Sequence, residues 1–208
     1  MRTVKWIGDR VAALVLLVLL SPLLVAFALW ILIDGGRPAI FGQARAGKNG
    51  VPFRMLKFRT MVQNALELAP QLTDDPFGVV ENDPRITRPG RFLRRTGLDE
   101  LPQLWNVLRG QMSLVGPRPD LVEQAAHYGE SDRRRLTVEP GITGWSQVNG
   151  REAVGWPERI QQDLWYIDHW SLRLDLKILW RTFAELGRSG EKPVEDTVNI
   201  ERARAGKQ

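Results

Sequence analysis

Cysteine is absent from the 208 residues. That excludes a disulfide framework and thiolate catalysis, and it suits a reducing compartment. Histidine is scarce. His127 and His169 stand far apart with no ligand-like spacing around them, so a zinc site lacks its donor set and both read as polar surface or rim residues. Acidic residues are outnumbered, 24 against 29 lysines and arginines, for a net charge of +5. A basic balance fits nucleic acid, an anionic membrane or a phosphorylated substrate. No helix-turn-helix, zinc-finger or RNA-binding sheet signature accompanies it, so nucleic acid is not an expected partner. Internal repeats and low-complexity tracts are also missing. The length allows one real core plus an appendage.

Charge is missing locally as well. Val11 to Ile33 is a run of 23 residues without a charged side chain, about 34 Å long as a helix and enough to cross a hydrocarbon core once. Ser21-Pro22 interrupts its middle. Proline removes one helical hydrogen bond and the serine hydroxyl can bond back to a carbonyl, so a kink is predicted there. Both flanks are basic: Arg2, Lys5 and Arg10 before, Arg37, Arg45, Lys48, Arg54, Lys57 and Arg59 after. Basic flanks prefer the cytoplasm. A helix that bends and returns to the same face satisfies both; a single kinked span, which membranes tolerate, satisfies one. A cleaved signal peptide, hinted at by Ala26-Phe27-Ala28, would leave the apolar Leu29 to Ile33 to open the mature chain and fits poorly.

Beyond the apolar run, Ala39 to Arg45 and Val51 to Phe58 flank an Asn49-Gly50 turn and predict a β-hairpin. Alternation puts Lys57 and Arg59 on one face and Phe58 on the other. A short helix is predicted over Val62 to Leu72, a turn-rich loop over residues 73 to 90, and helices over Leu101 to Leu108, Asp120 to Tyr128 and Pro157 to Trp170. Pro140-Gly141-Ile142-Thr143-Gly144-Trp145 reads as a turn cluster. Ser171 to Gly187 fits both strand and helix periodicity, and length favours helix. Trp165, Tyr166, Trp170 and Trp180 gather around it, and eight tryptophans in the chain suit either a membrane interface or a soluble core. Residues 188 to 208 have little apolar content and are expected to fray.

The chemistry concentrates in Asp99-Glu100, placed where a helix is expected to start, with Arg91, Arg94, Arg95, Arg109 and Arg118 around it. Acids at a helix start are common as caps alone. Among arginines they offer more: one carboxylate to attack phosphorus, a neighbour to hold Mg²⁺ through oxygen, and guanidinium groups to neutralise phosphate. The parts match phosphoryl transfer.

Taken together, five blocks resemble the monotopic phosphoglycosyl transferases, the polyprenyl-phosphate sugar-1-phosphate transferases that start bacterial glycan assembly. They are the apolar segment with Ser21-Pro22; Lys57-Phe58-Arg59-Thr60-Met61; Asp83-Pro84-Arg85-Ile86-Thr87 through Arg94-Arg95; Leu98-Asp99-Glu100-Leu101-Pro102 through Gly116-Pro117-Arg118-Pro119; and Pro140 to Trp145. They follow the family's order over roughly residues 5 to 187.

The resemblance implies an α+β, mostly helical fold. A re-entrant membrane helix would span 1–36, with Ser21 and Pro22 at its bend. A compact catalytic domain with a small hairpin and interfacial amphipathic helices would span 37–187, and a tail 188–208. The catalytic domain would be the small form, without the extra membrane spans and nucleotide-fold domain of larger relatives. It implies that Asp99 is the nucleophile, Glu100 the Mg²⁺ ligand and Arg118, within Pro117 to Pro119, a phosphate or nucleotide contact, with Lys57, Arg59 and Arg94 as basic groups nearby. The substrates would be a UDP-sugar and polyprenyl phosphate. The site would lie on the cytoplasmic face of a bacterial inner membrane, in contact with its lipids, and sugar specificity would lie in loops such as 73 to 90 and 129 to 157. A membrane-bound phosphohydrolase and a non-catalytic basic membrane-surface protein are the competing readings.

Overall fold

The computed structural model of the chain describes residues 2–65, 67–68, 83–150 and 155–185. The apolar segment forms two helices, α1 (Arg2–Leu19) and α2 (Ser21–Gly35), bent by 63° at the Ser-Pro step. Pro22 has no N–H for the carbonyl of Val18; the Ser21 hydroxyl donates to that carbonyl instead, at 2.8 Å. No single described helix is long and apolar enough to cross a membrane, whereas the bent pair together has the length and composition.

One side of this pair builds the core. Ala13 packs with Phe53, Met55, Leu104, Val107 and Met112, and Phe27 and Ile31 pack with Phe58 and Leu93. The other side is apolar and bare. Val4, Ile7, Val11, Leu14 and Val18, spaced three or four apart on α1, are exposed, as are Val25, Leu29 and Ile33 on α2. The start of α1 is pinned by Lys5 to Asp175 at 2.8 Å, and Asp9 accepts from Ser113 Oγ at 2.5 Å.

The hairpin is β1 (Ile40–Ala46) against antiparallel β2 (Pro52–Phe58), with Arg45 opposite Phe53. A 3₁₀ turn over Lys48–Gly50 joins them, with Asn49 in the left-handed region at φ 56°. Next come α3 (Arg88–Thr96), α4 (Gln103–Leu108), β3 (Ser113–Val115), α5 (Val122–Ala126) and α6 (Glu130–Arg133). They are followed by β4 (Gly141–Thr143), α7 (Trp145–Val148), α8 (Trp156–Asp168) and α9 (Leu172–Glu185). Among the described residues the fold is mostly helical with two small sheets, as the α+β class requires.

Several elements differ from expectation. The Pro140 turn cluster carries β4, which pairs in parallel with β3, Ser113 beside Gly141 and Val115 beside Thr143. A Cβ on Gly141 would lie 2.1 Å from the amide nitrogen of Gly116, so the glycine permits the close crossing. Residues 129 to 157, expected as a loop, hold α6, a 3₁₀ turn, β4, α7 and the first residues of α8. Of the helix expected over Val62 to Leu72, Ala65, Glu67 and Leu68 are helical, while Leu66 and 69–72 lie outside the described residues. So do 73–82 of the turn-rich loop and the tail 188–208.

Candidate active site

The acidic pair is placed by two backbone reversals. Thr87 caps α3, its Oγ1 accepting from Gly90 N at 3.1 Å. Gly97, left-handed at φ 73°, ends that helix, and its N–H donates to Arg94 O. A 3₁₀ turn follows at once over Leu98–Glu100. Both acids are buried, Asp99 7 % exposed and Glu100 9 %. Contrary to expectation, the pair lies in this turn and not at the start of an α-helix. The next helix, α4, begins at Gln103 behind Pro102, which makes no side-chain cap bond. Helix capping therefore does not account for two adjacent buried carboxylates.

Glu100 is where separate segments meet. Lys57, next to last in β2, brings Nζ to 3.4 Å from Glu100 Oε1, while Phe58 beside it points into the core. Arg118 brings Nη1 to 3.3 Å and Nη2 to 3.2 Å from the same oxygen. The turn that carries Arg118 is fixed at four successive carbonyls. Gly141 N–H donates to Pro117 O at 2.8 Å, Arg135 Nη2 to Arg118 O at 2.8 Å, Arg45 Nη1 to Pro119 O at 3.2 Å, and Ala46 N–H to Asp120 O at 2.9 Å. Pro117 and Pro119 are buried and Arg118 is partly exposed.

Arg59, expected near the dyad, goes elsewhere. The guanidinium of Arg59 is buried against the end of α2, donating to Arg37 O at 2.7 Å, to Gly35 O at 2.6 Å and to Gly36 O. It caps the carbonyl end of the bent helix, where a positive charge is also favoured by the helix dipole. Arg94, in the last turn of α3, lies near enough to Asp83 for its charge to help lower that carboxyl. Asp83 itself forms a buried fork with Arg85, at 2.7 to 3.0 Å. Burial pushes the Asp83 carboxyl up, but the Arg85 bonds outweigh it and hold it below its ordinary value.

A second buried cluster had no sequence signal. Arg135 donates through Nε to Asp163 at 2.7 Å, through Nη1 to Tyr128 Oη at 2.7 Å and to Asp120, and through Nη2 to the Arg118 carbonyl. Asp163 also accepts from Ser146 Oγ at 2.7 Å. Burial alone would lower the Arg135 guanidinium; Asp120 and Asp163 outweigh it and raise it well above its ordinary value. These residues come from five separate segments, and only their convergence reveals them.

A cavity of about 420 Å³ opens between the start of α1 and β3, lined among others by Lys5, Trp6, Arg10, Lys48 and Trp170. Neither acid lines it, and three of its cations are matched internally. Lys5 pairs with Asp175, Lys48 with Glu139, and Arg10 stacks on Trp6. The dyad is therefore the stronger candidate site. Its donors are oxygen, and among the described residues no group of three or more acids or histidines could hold a metal. One or two carboxylates, with phosphate oxygens and water completing the octahedron, is how Mg²⁺ binds at such sites. The residues fit that ion.

Residues 1–189 match the family described as bacterial sugar transferase. The uncharacterized sugar transferase EpsL of Bacillus subtilis is 42 % identical over 178 residues, covering 86 % of this chain and 84 % of that protein. The UDP-galactose-lipid carrier transferase of Erwinia amylovora is 45 % identical over 190 residues, 87 % of this chain and 40 % of its own length. The UDP-glucose:undecaprenyl-phosphate glucose-1-phosphate transferase of Escherichia coli is 43 % identical over 190 residues, 87 % of this chain and 39 % of that protein. The chain thus spans about two fifths of the length of the last two relatives. It belongs to the bacterial sugar transferase family.

Proposed function

For a chain of the bacterial sugar transferase family, we propose transfer of a sugar 1-phosphate from a UDP-sugar to polyprenyl phosphate through a covalent intermediate on Asp99. The observation that carries this reading is the approach of Lys57 and Arg118 to Glu100 beside a buried Asp99. A buried carboxylate pair bordered by two cations is arranged to receive a diphosphate. The Escherichia coli relative's name supplies the reaction class, and the Erwinia name supplies a different sugar at similar identity. Overall identity therefore does not carry the sugar.

In the first step an Asp99 carboxylate oxygen attacks the β-phosphorus of the UDP-sugar. The bond from that phosphorus to the bridging oxygen breaks, and UMP leaves with the oxygen. In the second step an oxygen of polyprenyl phosphate attacks the same phosphorus and Asp99 departs, giving a polyprenyl diphosphate sugar. Arg118 and Lys57 hold phosphate oxygens and offset the charge that develops on them. Glu100 would hold Mg²⁺, which would neutralise part of the diphosphate charge.

The membrane placement rests on the exposed apolar surface. A folded chain that leaves the outer faces of α1 and α2 bare is suited to lipid contact. Two basic flanks and a bend at Ser21-Pro22 favour a re-entrant pair that enters from the cytoplasmic side and returns to it. Leu172, Leu176, Trp180 and Phe183 form a second exposed apolar stripe along α9, with Trp180 76 % exposed; it suits a helix lying in the interface of a bacterial inner membrane. There the soluble UDP-sugar and the lipid phosphate reach one site in turn.

A UMP-release assay over a panel of UDP-sugars, run with and without undecaprenyl phosphate, tests the reading. Expected is Mg²⁺-dependent turnover that yields a lipid-linked sugar diphosphate. Sustained turnover without the acceptor, with free sugar phosphate as product, identifies a phosphohydrolase instead.

A further inference from the structure

The buried Arg135 cluster reaches the turn that carries Arg118. Arg135 lies in the 3₁₀ turn over Arg134–Thr137, and its side chain reaches the segments before and after α5 through Asp120 and Tyr128, α8 through Asp163, and the Arg118 carbonyl. Ser146 of α7 completes the shell on Asp163. A planar guanidinium carries five N–H donors in a fixed fork, enough for all four acceptors at once, whereas an ammonium has three. With Pro117, Pro119 and Asp120 held by Gly141, Arg45 and Ala46, the bond from Arg135 completes a clamp on the backbone of the turn. The one long side chain that the clamp turns toward the dyad is Arg118, 3.2 Å from Glu100.

We propose that Arg135 is a positioning residue, which sets Arg118 against Glu100 so that the Arg118 guanidinium is ready to take substrate phosphate. Arg135 touches no reacting atom. It acts through the Arg118 carbonyl, with Asp120 and Asp163 fixing its orientation. This rests on the phosphate role given to Arg118 above. It makes α8, far along the chain from the dyad, part of the substrate machinery through Asp163.

The test uses the full chain in detergent or lipid. Arg135→Lys keeps a positive charge between Asp120 and Asp163 but cannot hold the carbonyl at the same time. Expected is hydrogen exchange in the 113–121 segment rising by ~10-fold while α3 and β2 stay protected. Unchanged exchange in that segment overturns the proposal. In UMP release, Arg135→Lys raises KM for the UDP-sugar about 10-fold, and the Arg118→Ala, Arg135→Lys double variant is no worse than Arg118→Ala alone. Fully additive effects overturn it too, because they make Arg135 an independent structural prop. If Arg118→Ala leaves KM unchanged, the phosphate role of Arg118 fails, and the exchange result still decides the clamp. Should Arg135→Lys not fold, Tyr128→Phe removes one hydroxyl from the cluster without changing charge. It is expected to raise exchange of the same segment by ~3-fold; no rise counts against the clamp.

Discussion

Both terminal nitrogens of Arg118 face a single oxygen of Glu100, Oε1, at 3.3 and 3.2 Å, and Lys57 Nζ reaches the same oxygen at 3.4 Å. Charge-assisted bonds between such groups settle near ~2.7–2.9 Å when optimised. The longer separations are charge-pair contacts rather than short, optimised hydrogen bonds. That distinguishes them from Arg85, whose fork on Asp83 closes to 2.7 Å.

Arg118→Ala is therefore expected to lower kcat/KM for UMP release by about 10–100-fold, the range for losing a charged hydrogen bond of roughly 1.5–3 kcal/mol. Lys57→Ala, which removes the more distant single contact, has the smaller effect. Steady-state kinetics on the purified variants check the order. Unchanged kinetics for Arg118→Ala remove it from the phosphate site.

The Asp83–Arg85 fork gives a pH signature. The fold holds Asp83 below its ordinary value near 3.8, so the ionised form is the one favoured by folding. Its contribution is complete above the unfolded value and is lost as pH falls through the lower folded value. Asp83→Asn is expected to cost about 3–5 kcal/mol at pH 7, as for one partner removed from a buried pair. The gap in melting temperature to the parent chain should narrow as pH drops below ~4. Thermal unfolding across that range checks it; a constant gap contradicts the pairing.

The lack of cysteine lets the bend be tested cleanly. Single cysteines at Thr3 and Ala39, one at each end of the helix pair, should both react with an impermeant maleimide from the cytoplasmic face of membrane vesicles. Pro22→Ala restores an N–H to the Val18 carbonyl and should shift part of the population to labelling of one end from the opposite face. Opposite-face labelling in the parent chain would rule out the re-entrant arrangement.

How far the sequence reached depended on whether a signal was local. Asn49-Gly50 between two alternating runs is a local turn rule, and β1 and β2 pair there. Ser21-Pro22 is a local rule as well, and α1 and α2 break at that step. The strands β3 and β4 span three residues each and pair only across a distance in the chain, too short for periodicity to show. Arg59 illustrates a different limit. Alternation fixes the side of a strand that a residue faces but not its partner, and the partner turned out to be the end of α2. Arg135 and Asp163 could not be found from either segment alone, since each looks like an ordinary charge on a short helix. The meeting of Arg118 with Glu100 became legible only when the Pro-Arg-Pro turn and the acidic pair were taken as parts of one family pattern.

The covalent step on Asp99 is the central claim, and one labelling experiment tests it most directly. The chain is mixed with Mg²⁺ and a UDP-sugar carrying radiolabel in its β-phosphate, without lipid acceptor, then denatured. The account predicts label bound to the protein at Asp99, transfer of that label to lipid when undecaprenyl phosphate is added before denaturation, and no label on Asp99→Asn. Lipid-linked product formed with no protein-bound label, or full labelling of Asp99→Asn, would contradict it.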